Sequence, residues 1–235
     1  MDFNVELYSD GAVIEEMIKM KEKGIVSGIT TNPTLMKKAG ITDYVAFAKE
    51  VLDNIVDLPI SFEVFGDDFD TMEKEAIKIA SLGKNVFVKI PITNTKGESS
   101  APLIKKLSSK GIKLNITAIM TENQVVDTVN ALSSGVDSIV SVFAGRIADT
   151  GIDPEPLMEK AVKICHEKAG VKLLWASTRE VFNIIQADQL GVDIITVQPS
   201  ILNKLDMYHM DLNELSIETV KMFNNDVKDL GFTIL

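Results

Sequence analysis

A chain of 235 residues with 46% hydrophobic content is long enough for one large α/β domain or two small ones, each with a sizeable core. A formal charge of −10, from 34 acidic against 24 basic residues with no basic run, argues against nucleic-acid or anionic-membrane partners, yet leaves room for a small anion in a local basic pocket. The single cysteine, Cys165, excludes an internal disulfide; the start MDFNVELYSD lacks the marks of a signal peptide and no apolar stretch reaches the ~18 residues of a membrane helix, so a soluble, cytoplasmic protein is expected.

Along the chain, short β-branched runs alternate with longer amphipathic segments, the pattern of βα units around a parallel sheet. VELYS (5–9) precedes AVIEEMIKMKEKG, and IVSGITT (25–31) precedes YVAFAKEVLDNI. PISFEVF (59–65) leads into DTMEKEAIKIASLG, NVFVKIPI (85–92) into APLIKKLSSKG, and KLNITAI (113–119) into NQVVDTVNALSSG. SIVSVFA (138–144) is followed by EPLMEKAVKICHEKAG, VKLLWAS (171–177) by REVFNIIQADQLG, and DIITVQP (193–199) by SILNKLDMYHM. Gly24, Gly83, Gly111, Gly135, Gly170 and Gly191 close several of these segments, where a left-handed cap residue belongs. Eight strand-then-helix units without a linker or a composition shift favour a single (β/α)8 TIM barrel spanning 1–235, with an additional C-terminal helix over 214–231. A doubly wound sheet is the competing architecture, because local period does not decide closure.

In such a barrel the reactive groups gather at the C-terminal ends of the strands, and alternate strand residues face the interior. In NVFVKIPI, Val86, Val88 and Ile90 share one face, which should meet the helices, so Lys89 points inward with Phe87. The same parity pairs Asn115 with Thr117, Tyr8 with Asp10, Ser61 with Glu63, and Ser141 with Phe143. Five strands thus direct polar groups to one end.

Each residue alone has a plainer explanation. Lys89 could snorkel at a strand end, and Asp10 could cap the helix starting near Ala12. Thr30 and Thr31 before Asn32-Pro33 could be a turn, and Asn115 and Thr117 could simply satisfy hydrogen bonds within the barrel. Their coincidence argues otherwise, since a fold seldom buries a lysine, two carboxylates and several hydroxyl or amide groups together without a use. An amine among apolar neighbours gives up its proton more readily, and the neutral amine attacks carbonyl carbon. Lys89 is therefore the candidate for a Schiff base, whose iminium permits an adjacent carbon–carbon bond to break. His166 lies in a helical pattern and His209 after the last strand, neither with clustered partners, so no catalytic metal and no cofactor are expected. Arg146 after the sixth strand, with Ser177 and Arg179 at the end of the seventh strand entering a helix, could hold a phosphate. Surface ion pairs with Asp149 and Glu180 explain the two arginines equally well.

GITTNPT (28–34), NVFVKIPIT, LNITAI, SVFAGRI and WASTRE with GVDIITVQP occur in an order that resembles the transaldolase family, more closely its short members, the group that includes the fructose-6-phosphate aldolases. The resemblance runs from LYSD to VQPSILNKL. It implies a (β/α)8 barrel with Lys89 as the Schiff-base lysine, and it matches Asp10, Glu63 and Thr117 to catalytic positions. Asn32, Asn115, Ser141 and Phe143 match positions that hold the dihydroxyacetone part of the substrate, and Arg146, Ser177 and Arg179 match those that hold its phosphate. Phe143 is the transaldolase version of a position where the aldolases carry tyrosine. The implied activity is transfer of a dihydroxyacetone unit between sugar phosphates; an aldolase releasing free dihydroxyacetone, or a non-catalytic sugar-phosphate binder, are the alternatives. The resemblance also implies a homo-oligomer, a ring of five subunits or a pair of such rings. Gly11 and Thr34 replace more usual family residues, and MYHMDLNELSIETVKMF matches the family's C-terminal wording poorly.

Overall fold

The computed structural model describes residues 3–232 and Ile234. In chain order it runs β1 (Glu6–Asp10), α1 (Ile14–Glu22), β2 (Gly28–Thr30), α2 (Pro33–Lys38), α3 (Tyr44–Asn54), β3 (Ile60–Glu63), α4 (Phe69–Ala80) and β4 (Val86–Pro91). It continues with α5 (Ala101–Ser108), β5 (Leu114–Ile119), α6 (Glu122–Ala131), β6 (Ser138–Val142), α7 (Ala144–Asp149), α8 (Glu155–His166) and β7 (Val171–Trp175). The last elements are α9 (Phe182–Leu190), β8 (Ile194–Val197), α10 (Pro199–Leu202), a 3-10 turn (Asn203–Met207) and α11 (Leu212–Leu230). All eight strands are parallel and each pairs with its sequence neighbours, β8 closing on β1, so the sheet is a closed barrel and not a doubly wound one. No helix among the described residues is long and apolar enough to cross a membrane.

The pleat sorts the side chains as the alternation predicts. Ile60, Phe62, Val88, Ile90, Leu173 and Trp175 point outward and are buried under the helices. The other face fills the barrel: Tyr8, Phe87, Ile139, Leu174, Ala176 and Ile194 form one apolar cluster, with Phe143 packed against it. Gly28 is required there, because a Cβ at this position would lie 2.4 Å from the Tyr8 ring. The glycine on β2 makes room for the aromatic ring on β1, which pairs with it residue to residue.

Helix ends follow local chemistry. Asn32 caps α2, its side chain accepting from the Leu35 N–H at 3.0 Å, and Pro33 fills the first helical position. Thr121 and Gln124 cap α6 reciprocally. Gly24, Gly111, Gly135, Gly170 and Gly191 are left-handed as expected, but Gly83 is not; it lies against Leu52 and Asn85. Asp10 caps no helix, since α1 begins at Ile14 behind Val13.

The chain divides into two compact units, the barrel with its helices ending at Leu202 and a second unit from Asn203 onward. In the second unit Asp211 caps α11 by accepting from the N–H groups of Asn213 and Glu214, and Gly231 ends it with φ +70°. The helix spans 19 residues, close to the 214–231 read from the pattern.

The contact at Gly28 gives a stability test. Gly28→Ala should lower stability by about 1–3 kcal/mol through overpacking against Tyr8, read as a lower midpoint in urea unfolding.

Candidate active site

A cavity of about 800 Å³ opens at the C-terminal ends of the strands. Its floor is set by strand register. Glu63 on β3 pairs with Lys89 on β4, and Lys89 pairs in turn with Asn115 on β5. Lys89 is only 5% exposed; its Nζ donates to the Thr31 carbonyl at 2.8 Å and lies 3.4 Å from Glu63 Oε2. A buried ammonium needs such partners, because desolvation of an unpaired charge is prohibitive.

Asp10 stands at the end of β1 beside Thr30 of β2. The Thr30 hydroxyl donates to Asp10 Oδ1 at 2.9 Å, and the Asn32 side chain lies near enough to favour the same carboxylate. Burial pushes the Asp10 carboxyl above the ordinary carboxylate range, while the Lys89 charge, the bond from Thr30 and the Asn32 side chain pull it back. Asn32 therefore has two jobs, its carbonyl oxygen capping α2 while its side chain favours the ionised Asp10.

A second polar row crosses the barrel next to these groups. The Ser141 hydroxyl donates to Asn115 Oδ1 at 2.6 Å, and Asn115 Nδ2 donates to Ser61 Oγ at 3.0 Å. Ser141 and Thr117 line the cavity, while Asn115 is fully buried with both ends of its amide engaged. Thr117 Oγ1 is buried with no hydrogen-bond partner among the described residues. Its place comes from an irregularity in β5: the register with β6 shifts between Ile116 and Ile119, around Ala118 at φ +61°. An unpartnered hydroxyl there is free to meet a polar group in the cavity.

The opposite wall carries cations. Arg146 of α7 has its guanidinium 5.4 Å from the centroid of the Phe143 ring, and Arg179 lies in the loop after β7. Helix α9 starts only at Phe182, so Ser177 and Arg179 belong to an irregular turn and not to the helix entry suggested by WASTRE. That turn is tightly specified. Ser177 is left-handed at φ +67°, and a Cβ on Gly145 would meet the Ser177 carbonyl oxygen at 1.7 Å. Only glycine lets α7 sit against the turn. Arg179 forms a two-point ion pair with Asp149, Nε to Oδ1 at 3.1 Å and Nη2 to Oδ2, whereas Glu180 is not its partner.

All four expected catalytic positions, Lys89, Asp10, Glu63 and Thr117, thus line one cavity, with Asn32, Ser141, Phe143, Arg146, Ser177 and Arg179. Sequence reading passed over Thr30 as a turn residue and did not single out Thr196, Gln198 or Lys38, which line it too. Parity along DIITVQP would have turned Thr196 and Gln198 inward with Ile194. Gly11 has open space around a would-be Cβ, so no packing constraint demands glycine there.

The family model described as transaldolase/fructose-6-phosphate aldolase matches residues 7–234. The chain belongs to the transaldolase/fructose-6-phosphate aldolase family. It is 34% identical over 231 residues to a protein of Thermoanaerobacter sp. strain X514 named a probable transaldolase, covering 98% of this chain and 100% of that one. A relative of the same name from Carboxydothermus hydrogenoformans is 36% identical over 203 residues, 86% of this chain and 90% of its own. Among solved structures, 2,3-dimethylmalate lyase aligns with a TM-score of 0.56 at 12% identity, over 99% of this chain and 85% of that one. A KGPDC from Streptococcus mutans aligns with 0.54 at 11% identity, over 83% and 88%. These two share the barrel fold alone. Among the described residues of this family member, no group of three or more His, Cys, Asp or Glu could hold a metal ion.

The raised Asp10 pKa has a cost that depends on pH. The folded state holds the Asp10 proton more tightly than the unfolded state, so stability is lost as pH rises from the ordinary carboxylate range towards and through the raised value. Asp10→Asn should therefore unfold at a higher temperature than wild type at pH 7, by about 2–4 °C per kcal/mol relieved. The gap should shrink as pH falls toward 4 in thermal melts.

Proposed function

We propose that this family member is a transaldolase that carries a dihydroxyacetone unit from a ketose phosphate to an aldose phosphate on Lys89. The observation that carries this reading is the buried Lys89 amine, flanked by Glu63 and Asp10 on the floor of a cavity whose far wall holds two arginines.

Lys89 passes a proton to the neighbouring Glu63 carboxylate, and its neutral Nζ then adds to the C2 carbonyl of a ketose phosphate such as fructose 6-phosphate or sedoheptulose 7-phosphate. Loss of water then leaves the iminium. Glu63, beside the amine, and the unpartnered Thr117 hydroxyl are placed to move protons through a water during that dehydration. Asp10 takes the proton from the C4 hydroxyl, the C3–C4 bonding pair moves toward the iminium nitrogen, and an aldose phosphate leaves. The three-carbon enamine remains on Lys89. An acceptor aldehyde is attacked by the enamine carbon, its new alkoxide takes the proton back from Asp10, and water releases the product. No cofactor enters the scheme.

Ser141 has its proton committed to Asn115 and so offers lone pairs to a dihydroxyacetone hydroxyl. Arg146, Ser177 and Arg179 receive the phosphate; Arg179 must turn from Asp149 to do so, or share its charge. Phe143 places hydrocarbon where a hydroxyl could deliver a proton to the enamine, which favours transfer to an aldehyde over release of dihydroxyacetone.

Intact mass after incubation with fructose 6-phosphate and borohydride should reveal a reduced dihydroxyacetone adduct on wild type and none on Lys89→Ala. Turnover by Lys89→Ala at a wild-type rate would sink the Schiff-base reading. Free dihydroxyacetone formed without an acceptor would make the enzyme an aldolase, and binding without any adduct would make it a binder. Asp10→Asn should lower kcat by about 10²–10⁴-fold in a coupled assay. Arg179→Ala should chiefly weaken substrate affinity, by roughly 10-fold or more for one charge-assisted contact.

A further inference from the structure

Thr30 and Thr196 come from strands on either side of β1, and their hydroxyls meet inside the barrel at 2.5 Å. Thr30 Oγ1 also bonds Asp10 Oδ1 at 2.9 Å. A hydroxyl has one proton to donate. When Asp10 is ionised it can only accept, so the Thr30 proton points to Asp10 and Thr196 must donate to Thr30. The direction of the chain, Thr196 to Thr30 to Asp10, is then fixed by the carboxylate. Thr196 is 5% exposed and lines the cavity, so with its proton committed it offers only lone pairs there. If Asp10 takes a proton on Oδ1, the same chain can reverse, and Thr196 becomes free to donate.

We propose that Thr196, whose side-chain hydrogen bond goes to Thr30 and not to Lys89 or Asp10, is a positioning residue that holds Asp10 in its ionised form through Thr30. The geometry of β8 supports a fixed role. The Thr196 carbonyl accepts from the Thr178 hydroxyl at 2.8 Å, and β8 pairs with β1 through Tyr8 and Thr196. Other groups bear on Asp10 from the elements around it. Lys89 of β4 and Asn32 favour its ionised form, and Glu63 of β3 lies beside Lys89 on the same floor. Lys38, Arg146, Asp149 and Arg179 are the remaining charged residues lining the cavity. Outside the strand ladder, the hydrogen bonds of Thr196 go to Thr30 and Thr178 and to none of these groups, which makes the chain separable from them.

This inference rests on the transaldolase reading for its effect on catalysis, but not for its direct test. The side-chain carboxyl carbon of Asp10, assigned by its absence in Asp10→Asn, can be titrated by carbon-13 NMR in wild type, Thr196→Ser, Thr196→Val and Thr196→Ala. Removing a hydroxyl that strengthens a donor to the carboxylate should raise the Asp10 midpoint by about 0.5 in pH in the valine and alanine variants. Serine should keep the wild-type midpoint. The acid limb of the kcat profile should move with it, with activity recovering at higher pH; a purely structural lesion would lower kcat equally at every pH. Equal midpoints in all four proteins overturn the proposal. Wild type that forms no adduct with sugar phosphates would count against the transaldolase reading, and the carboxyl titration would still decide the role of Thr196.

Discussion

The buried ammonium of Lys89 sets the terms for its neighbours. A charge in the interior of a barrel survives only with opposite charge and hydrogen-bond acceptors at close range. Here Glu63 and the Thr31 carbonyl provide them, and Asp10 contributes its field. Register makes this possible: in a parallel pair Glu63 falls opposite Lys89, so one residue of slip would turn one of the two toward the helices. The catalytic proposal and the packing of β3 on β4 therefore depend on the same alignment.

Beneath the cavity the barrel interior is packed with apolar side chains. Tyr8, Phe87, Ile139, Leu174 and Ile194 plug the interior. The Ser61–Asn115–Ser141 row adjoins Lys89, with which Asn115 pairs, and is a set of polar groups that satisfy one another. Satisfied networks of this kind fix orientation, because each member has a single partner geometry that leaves no buried orphan. Thr117 is the exception, and its free hydroxyl sits where β5 departs from regular register. A polar atom left unpaired in an otherwise satisfied layer is best understood as facing a ligand.

How much of this could be read from the chain depended on whether a feature is periodic. The eight strands, the inward turn of Lys89, Glu63 and Asp10, and the long helices follow from alternation and amphipathic spacing, which are local. Closure is not local, and neither is the meeting of Thr30 with Thr196, 166 positions apart. It requires β8 to join β1, so Thr30 looked like a turn and Thr196 like one more strand residue. The anion wall failed to read correctly for another reason. WASTRE suggested a helix entry, whereas left-handed Ser177 and the close approach of Gly145 delay α9 to Phe182. Backbone conformations of that kind depend on what packs against them. The short helices α2 and α7 carry too few turns to show a period at all.

The two ends of the cavity are built from different materials, and the difference suits the chemistry proposed for it. Lys89, Glu63, Asp10 and Thr117 stand on barrel strands, where hydrogen-bonded neighbours on both sides limit movement to what bond-forming steps tolerate. Arg146 and Arg179 stand on a short helix and a turn, and the Arg179–Asp149 pair is about half exposed on both sides. An exposed pair of this kind is worth only about 0–1 kcal/mol, so an incoming anion can draw Arg179 away at little cost. On the proposed function, Asp149 would hold the guanidinium beside the cavity between substrates without competing strongly when one arrives. The proposed transferase would bind and release two different phosphorylated partners in each cycle, and a weakly held, half-exposed cation serves that need better than a buried one.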